Sequence, residues 1–318
     1  MTKKELRSTR DGFGEGLLEV GIQNKNVVAL SADLTESTRT NLFAEKFPKR
    51  FIQVGVAEQN MVSVASGMAV MGKIPFVTSF AIFSPGRNWE QIRTTICYNN
   101  TNVKIVGSHA GVVTGPDGGS HQMLEDIALM RVLPRMTVFS PADFAEAKQM
   151  TLEAVKINGP VYLRLSRLSV PDLALQGLSE KELSAWSAKS LQEPVEVGII
   201  ATGHLVCHAQ QASGELEQEG IKTEVLNLSV IKPLNEKNIL EFAKNSKAIV
   251  TVEDHQLAGG MGSAVAEFLA QNYPIKIGFV AVKDQFGQSG TAKELLRHYE
   301  LDSRAIKEVV YKLLNSNL

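Results

Sequence analysis

The chain has 318 residues, enough for two domains of ordinary size, each with its own core. Apolar residues make up 44% and charged residues 21%, with a net charge of -1, which leaves no electrostatic case for nucleic acid or an anionic membrane surface. No apolar run approaches the roughly 20 residues of a membrane helix, the charged start MTKKELRSTRD carries no secretory signal, and the distant Cys97 and Cys207 read as buried reduced thiols of a cytoplasmic protein, not as a zinc site.

In chain order, short β-branched runs alternate with longer helical stretches. Strands are expected at Val27 to Leu34, Lys73 to Phe80, Val103 to Ser108, Thr137 to Pro141 and Val161 to Ser166. Helices are expected over Glu58 to Gly72, apolar nearly all round and hence buried, and over Ala142 to Val155. The polar, proline-bounded run Leu168 to Pro194 breaks the alternation and reads as a linker. Beyond it follow Val195 to Thr202, a helix near Leu205 to Glu219, then Thr223 to Leu228, Ala248 to Glu253 and Ile275 to Val282, with closing helices from Ala292 to Leu314. Strands that are apolar almost throughout predict sheets covered on both faces. The fold class is α/β, with two consecutive doubly wound domains at residues 1–175 and 193–318, joined by a linker at 176–192.

Several segments carry chemistry. Glu58 heads its helix, where a carboxylate can simply complement the helix dipole; held in an apolar setting it would instead have a raised pKa and could share a proton with a ligand. Phe80 and Phe83 follow a strand, either as core or as an aromatic platform at the carboxyl edge of a parallel sheet. The segment GSHAGVVTGPDGGSHQMLED gathers His109, Asp117 and His121 among five glycines, a composition that suits a ligand cleft better than a surface turn. A rival motif, GGMGSA at Gly259 to Ala264, has Asp284 about twenty residues on and resembles a dinucleotide fingerprint. Five residues separate Glu253 from Gly259, too many for the tight turn that leaves a fingerprint's strand, so helix packing is the preferred reading.

Taken together, SADLT (Ser31 to Thr35), VAEQNM, SFAIF, SHAGVVTGPDGGSHQ and LSRLSVP, followed by EDHQLAGGMGSAVAE and FGQSG, resemble the middle and C-terminal domains of transketolase in order and spacing. The resemblance covers nearly this whole chain but only the later part of a full-length member. It implies a pyrimidine-binding domain of a thiamine-diphosphate enzyme followed by a transketolase C-terminal domain. It also implies transfer of a two-carbon ketol unit between phosphosugars, with the cofactor doing the hard chemistry.

By the same resemblance, Glu58 binds the N1′ nitrogen of the cofactor's aminopyrimidine and favours its imino form, while Phe80 and Phe83 pack on the ring. Asp33 and Leu34 lie near the cofactor at a boundary between chains. His109 and Asp117 contact the sugar hydroxyls, and His121 the substrate carbonyl or hydroxyl region. Arg10, Ser37 and Arg167 match positions that hold the sugar phosphate, a role that suits arginine's forked donors.

Departures set further expectations. No Gly-Asp-Gly triplet occurs, so Mg²⁺ and the diphosphate are expected on an N-terminal partner subunit, in an α2β2 heterotetramer that is active only when assembled. Ala57, Glu58 and Gln59 replace the usual Arg-Glu-His and resemble the β subunits of 2-oxo acid dehydrogenases and deoxyxylulose-phosphate synthase, which stand as alternatives. A catalytically silent regulatory subunit is the non-enzyme alternative. Gly86 stands where many full-length members have a tyrosine.

Overall fold

The computed structural model describes residues 6–173 and 194–315; the expected linker at 176–192 lies outside the described residues. The first half contributes β1 (Leu6–Ser8), β2 (Val27–Ser31), β3 (Phe51–Gln53), β4 (Ile74–Phe80), β5 (Lys104–Ser108), β6 (Thr137–Phe139), β7 (Val161–Arg164) and β8 (Ser169–Pro171). The second contributes β9 (Val195–Ala201), β10 (Thr223–Asn227), β11 (Val230–Lys232), β12 (Ser246–Gln256) and β13 (Lys276–Val282). Each strand and helix expected from the sequence is present, with its ends shifted.

Strands β6-β7-β5-β4-β2-β3, in that order, form a parallel sheet. The apolar runs of β2, β4 and β5 are buried almost throughout because helices cover both faces. From β2 the chain passes to β3 on one side and returns to β4 on the other. That reversal makes β2 the topological switch point, where the carboxyl ends of adjacent strands open a crevice. Strands β10-β9-β12-β13 form a second parallel sheet.

Two features were not foreseen. Strand β11 leaves the second half and adds to the first sheet, antiparallel to β6. Strands β1 and β8 pair antiparallel as a two-stranded ribbon that holds the start of the described chain against Ser169–Pro171. Both tie distant segments together, and the apolar cluster around Met61, Ile105 and Met130 accordingly runs on into Ile200, Ile239 and Met261 of the second half.

The helix Glu58–Val70 corrects one expectation. Met61, Val62, Ala65 and Ser66 are buried, but Val64, Val70 and the following Met71 stand exposed. The chain supplies cover for one side of this helix only. Among the described residues, no helix is long and apolar enough to cross a membrane.

Candidate active site

The switch-point crevice is built by three segments that leave β2, β4 and β5. Phe80 ends β4, and the turn that follows brings Phe83 nearly parallel to it, with ring centroids 6.3 Å apart. The N–H of Arg87 donates to the Phe83 carbonyl at 3.1 Å, and this single turn sets the guanidinium over the Phe83 ring, 4.8 Å from its centroid. Arg87 Nη1 then donates to Glu58 Oε2 at 2.8 Å. Glu58 is 2% exposed while Arg87 is 49% exposed, so the guanidinium closes the mouth of a buried carboxylate. The expected apolar setting for Glu58 is thus incomplete, because a cation one turn beyond Phe83 faces it. Asn88 Nδ2 donates to the Glu58 carbonyl at 3.0 Å and fixes the helix start to the turn. At Gly86 a Cβ would stand 2.1 Å from the Ile82 carbonyl oxygen, so this turn has no room for a tyrosine without moving.

His109 follows β5 with φ 58 and stacks on Phe80, centroids 3.8 Å apart. Its protonation follows from its neighbours. Arg10 Nη1 lies 3.3 Å from Nε2, and a guanidinium only donates, so Nε2 must accept. The proton therefore sits on Nδ1, which donates to Ser108 Oγ at 2.8 Å. Burial, then the charges of Arg10, Arg167 and Arg39, push the imidazole down to about 3, so it is neutral at physiological pH. His121 meets the Phe83 ring edge-on at 5.5 Å, with its Nδ1 3.0 Å from Ser120 Oγ.

The expected phosphate residues gather on the far side of His109. Arg10 sits in the first turn of the helix Thr9–Gln23, which Ser8 and Asp11 cap reciprocally. It donates to the Ser37 carbonyl at 3.1 Å, so Ser37 joins the cluster through its backbone. Arg10 Nε is buried without a hydrogen-bond partner. Burial and the nearby Arg39 lower the Arg10 pKa, as expected for crowded cations. Arg39 itself pairs with Asp11 at 2.6 Å. Arg167 donates to the Thr114 carbonyl at 3.1 Å and reaches Asp117 at 3.4 Å. Asp33 and Leu34 leave β2 at the same sheet edge; Asp33 is exposed, and its N–H donates to Gln53 Oε1 at 2.8 Å.

The structure thus brings Glu58, Phe80, Phe83, His109 and His121 into one line of contacts, with Arg10, Ser37, Arg167 and Asp117 at its end. Sequence reasoning missed Arg87 and Arg39. Arg87 was legible: an arginine four residues after a phenylalanine in a turn-forming SPGR segment can fold back onto the ring.

In the rival glycine motif, the Gly259 N–H donates to Ser263 Oγ at 2.9 Å. The N–H groups of Met261 and Gly262, at the start of the helix Met261–Asn272, donate to the Glu253 carboxylate at 2.7 and 2.8 Å. Glu253 is fully enclosed, and burial pushes its carboxyl up. The cysteines are free, but only Cys97 is buried; Cys207 is half-buried, with its thiol donating to the His204 carbonyl. Among the described residues, no group of three or more His, Cys, Asp or Glu is placed to hold a metal ion.

A family model for the transketolase pyrimidine binding domain matches residues 6–172, and one for the transketolase C-terminal domain matches 187–306. The chain belongs to the transketolase family. A Methanocaldococcus jannaschii protein named "Putative transketolase C-terminal section" is 43% identical over 94% of this chain and 94% of its own length. The 6-deoxy-6-sulfo-D-fructose transketolase subunit SqwH of Clostridium sp. MSTE9 is 38% identical over 98% of this chain and 96% of its own. A solved structure described as "Split gene transketolase, inactive beta4 tetramer" matches with TM-score 0.87 and 43% identity, covering 97% of this chain and 98% of that one. Within the family, then, this chain resembles proteins built from these same two domains.

Proposed function

We propose that the chain is the pyrimidine-binding subunit of a split, thiamine-diphosphate-dependent transketolase that moves a two-carbon ketol unit from a ketose phosphate to an aldose phosphate. The observation that carries this reading is the continuous path from Glu58 through Arg87, Phe83, Phe80 and His109 to Arg10. It joins a carboxylate and a flat aromatic face to a neutral imidazole and a cluster of arginines. The aminopyrimidine fits the first part of that path. The planar, N–H-bearing Arg87 guanidinium already lies between the Phe83 face and Glu58, so the slot accepts a flat donor.

When bound, the cofactor supplies the activated carbon that breaks and remakes the carbon–carbon bond. The chain's residues do the rest. Glu58 holds a proton at the ring nitrogen N1′, and Phe80 with Phe83 fixes the ring plane. His109, neutral with a lone pair on Nε2, accepts a hydrogen bond from a sugar hydroxyl once Arg10 gives way. Asp117 orients a second hydroxyl, and His121 stands at the reacting end beside Phe83. Arg10 and Arg167, beside the Ser37 backbone, take the sugar phosphate, where forked donors bind best. Asp33, Leu34 and the exposed face of the helix Glu58–Val70 meet a partner chain, which holds Mg²⁺ and the diphosphate in an α2β2 assembly. Free thiols support a reducing compartment, the cytoplasm.

The reading is supported by relatives named as transketolase sections or subunits, and by a related chain described as inactive in its β4 form. Reconstitution tests it. Alone, with thiamine diphosphate and Mg²⁺, the chain is expected to show no ketol transfer; with the chain carrying the diphosphate-binding domain it should become active. Robust turnover by the isolated chain refutes the split assignment. A complex that decarboxylates pyruvate and ignores xylulose 5-phosphate refutes the sugar assignment.

A further inference from the structure

The loop that carries the sugar-facing groups is rich in glycine. Gly111, Gly115 and Gly118 all adopt positive φ, at 87, 76 and 81°, and a glycine-rich segment loses much conformational entropy on ordering. Two of the tethers that fix it come from the second domain. Gln122 Nε2 donates to the carbonyl of Gln288 at 2.9 Å and to that of Val112 at 3.1 Å. At the loop's turning point the N–H of Val112 donates to Asp254 Oδ1 at 3.0 Å.

Asp254 is held for that task. It lies at the end of β12, 1% exposed, beside the loop rather than in the crevice. Arg164, at the end of β7, donates to its carbonyl at 2.7 Å while pairing with the buried Asp126. His204 Nε2 stands 3.3 Å from Oδ2, close enough for attraction but without hydrogen-bond alignment. The fit against the loop is tight: a Cβ at Gly111 would lie 2.0 Å from Asp254 Oδ2. From this anchor the loop returns to the site, where Thr114 Oγ1 donates to the His109 carbonyl at 2.6 Å and the Thr114 carbonyl accepts from Arg167.

We propose that Asp254 of the C-terminal domain is a positioning residue for the sugar site: its carboxylate, through the Val112 N–H, sets the loop that presents His109, Asp117 and His121. The proposal rests on the transketolase reading for its kinetic consequence, but not for its structural one. It gives the C-terminal domain a defined part in substrate binding without contact to substrate or cofactor.

Two measurements test it on the same variants. In the free chain, hydrogen–deuterium exchange is followed over residues 110–122 and over β5 and β12. In the assembled complex, KM and kcat for a ketose phosphate are measured beside the affinity for thiamine diphosphate. Loss of a hydrogen bond to a charged group predicts that Asp254→Ala speeds loop exchange about tenfold or more and raises the sugar KM by about tenfold to a hundredfold. Cofactor affinity and strand protection should stay within about twofold of the parent. Asp254→Asn keeps an acceptor of the same shape and should restore both loop exchange and KM. Unchanged loop exchange in Asp254→Ala overturns the proposal, as does a rise spread equally over β5 and β12. Should Asp254→Ala not fold, Asp254→Leu fills the same volume without an acceptor for the Val112 N–H and is read by the same criteria. If the parent complex shows no ketol transfer, the functional reading fails, while the exchange experiment still decides the role of Asp254.

Discussion

The two sheets end in carboxyl edges that use their charged residues in opposite ways. At the first edge, after β2, β4 and β5, polar side chains meet one another, Arg87 with Glu58, Arg10 with His109 and Arg167 with Asp117. Arg10 Nε is buried without a partner, Arg87 and Asp117 are accessible, and the His109 lone pair faces the Arg10 guanidinium. At the second edge, the Glu253, Asp254 and His255 side chains at the end of β12 are all buried and each meets backbone, although Asp254 Oδ2 has no hydrogen-bond partner. Glu253 takes the N–H groups of Met261 and Gly262, Asp254 takes that of Val112, and His255 Nε2 accepts from Ala128 at 3.3 Å. Carboxyl edges of parallel sheets are the usual ligand sites. Here one edge has been turned into a brace for the other. The difference lies in whether polar side chains meet one another or the backbone, not in whether glycines and acids are present.

That contrast can be broken at either edge. The largest effect is expected at Glu58. Glu58→Gln keeps the shape but cannot hold the N1′ proton in the same way, so turnover of the assembled enzyme should fall by about two orders of magnitude or more, roughly 3 kcal/mol of barrier. Urea denaturation of the same variant should move little. Near-normal turnover at saturating cofactor would remove Glu58 from the chemistry.

The second edge should answer in stability instead. Glu253→Ala leaves two buried N–H groups without an acceptor, which predicts a loss of about 2 to 3 kcal/mol in urea denaturation. The sugar KM should be unaffected in whatever folded fraction assembles. A changed KM with unchanged stability would mean that the second edge holds a ligand after all.

Arg167 sharpens the first edge further. Arg167→Ala removes a charge-assisted phosphate contact and should raise KM for phosphorylated sugars by about tenfold to thirtyfold, near 2 kcal/mol, while unphosphorylated sugars are little affected. Equal effects on both classes would assign Arg167 to holding the Thr114 carbonyl alone.

The smallest effect is a pH slope. His109 stays neutral in the folded chain down to about 3, against an ordinary value of 6.5, because it is buried and surrounded by Arg10, Arg167 and Arg39. Between those values the unfolded chain takes up a proton that the folded chain refuses, so acid weakens the fold. The expected loss is about 1 kcal/mol at pH 5.5 relative to pH 7. His109→Asn should flatten this part of the stability profile in urea titrations at the two pH values. An unaltered slope would show that the imidazole is not the group being titrated.

Much of the site could be read from the residues. The period of apolar runs located the strands, and the motifs SFAIF and SHAGVVTGPDGGSHQ marked Phe80, Phe83, His109, Asp117 and His121 as neighbours of strand ends. Arg87 and Asp254 escaped for different reasons. Arg87 acts through a local turn that places it back on Phe83, a geometry decided by two or three dihedral angles. Asp254 acts across 142 residues of sequence, and nothing in EDHQ says which distant N–H its carboxylate will meet.

The sequence by itself determined the α/β class, the order of the elements and the residue types available for chemistry, because strand and helix periodicity and side-chain chemistry are local properties. Only the tertiary structure decided that β11 would leave its own half to complete the first sheet, and that the helix of Glu58 would be covered on one side alone. It also decided that Glu253 would take the N–H groups of Met261 and Gly262 at GGMGSA, and that Asp254 would take that of Val112 in the glycine loop at 107–121. Both glycine segments expose backbone donors in principle. Which acceptor satisfies them depends on where another strand ends, and that is fixed by packing between sheets rather than by the glycines themselves.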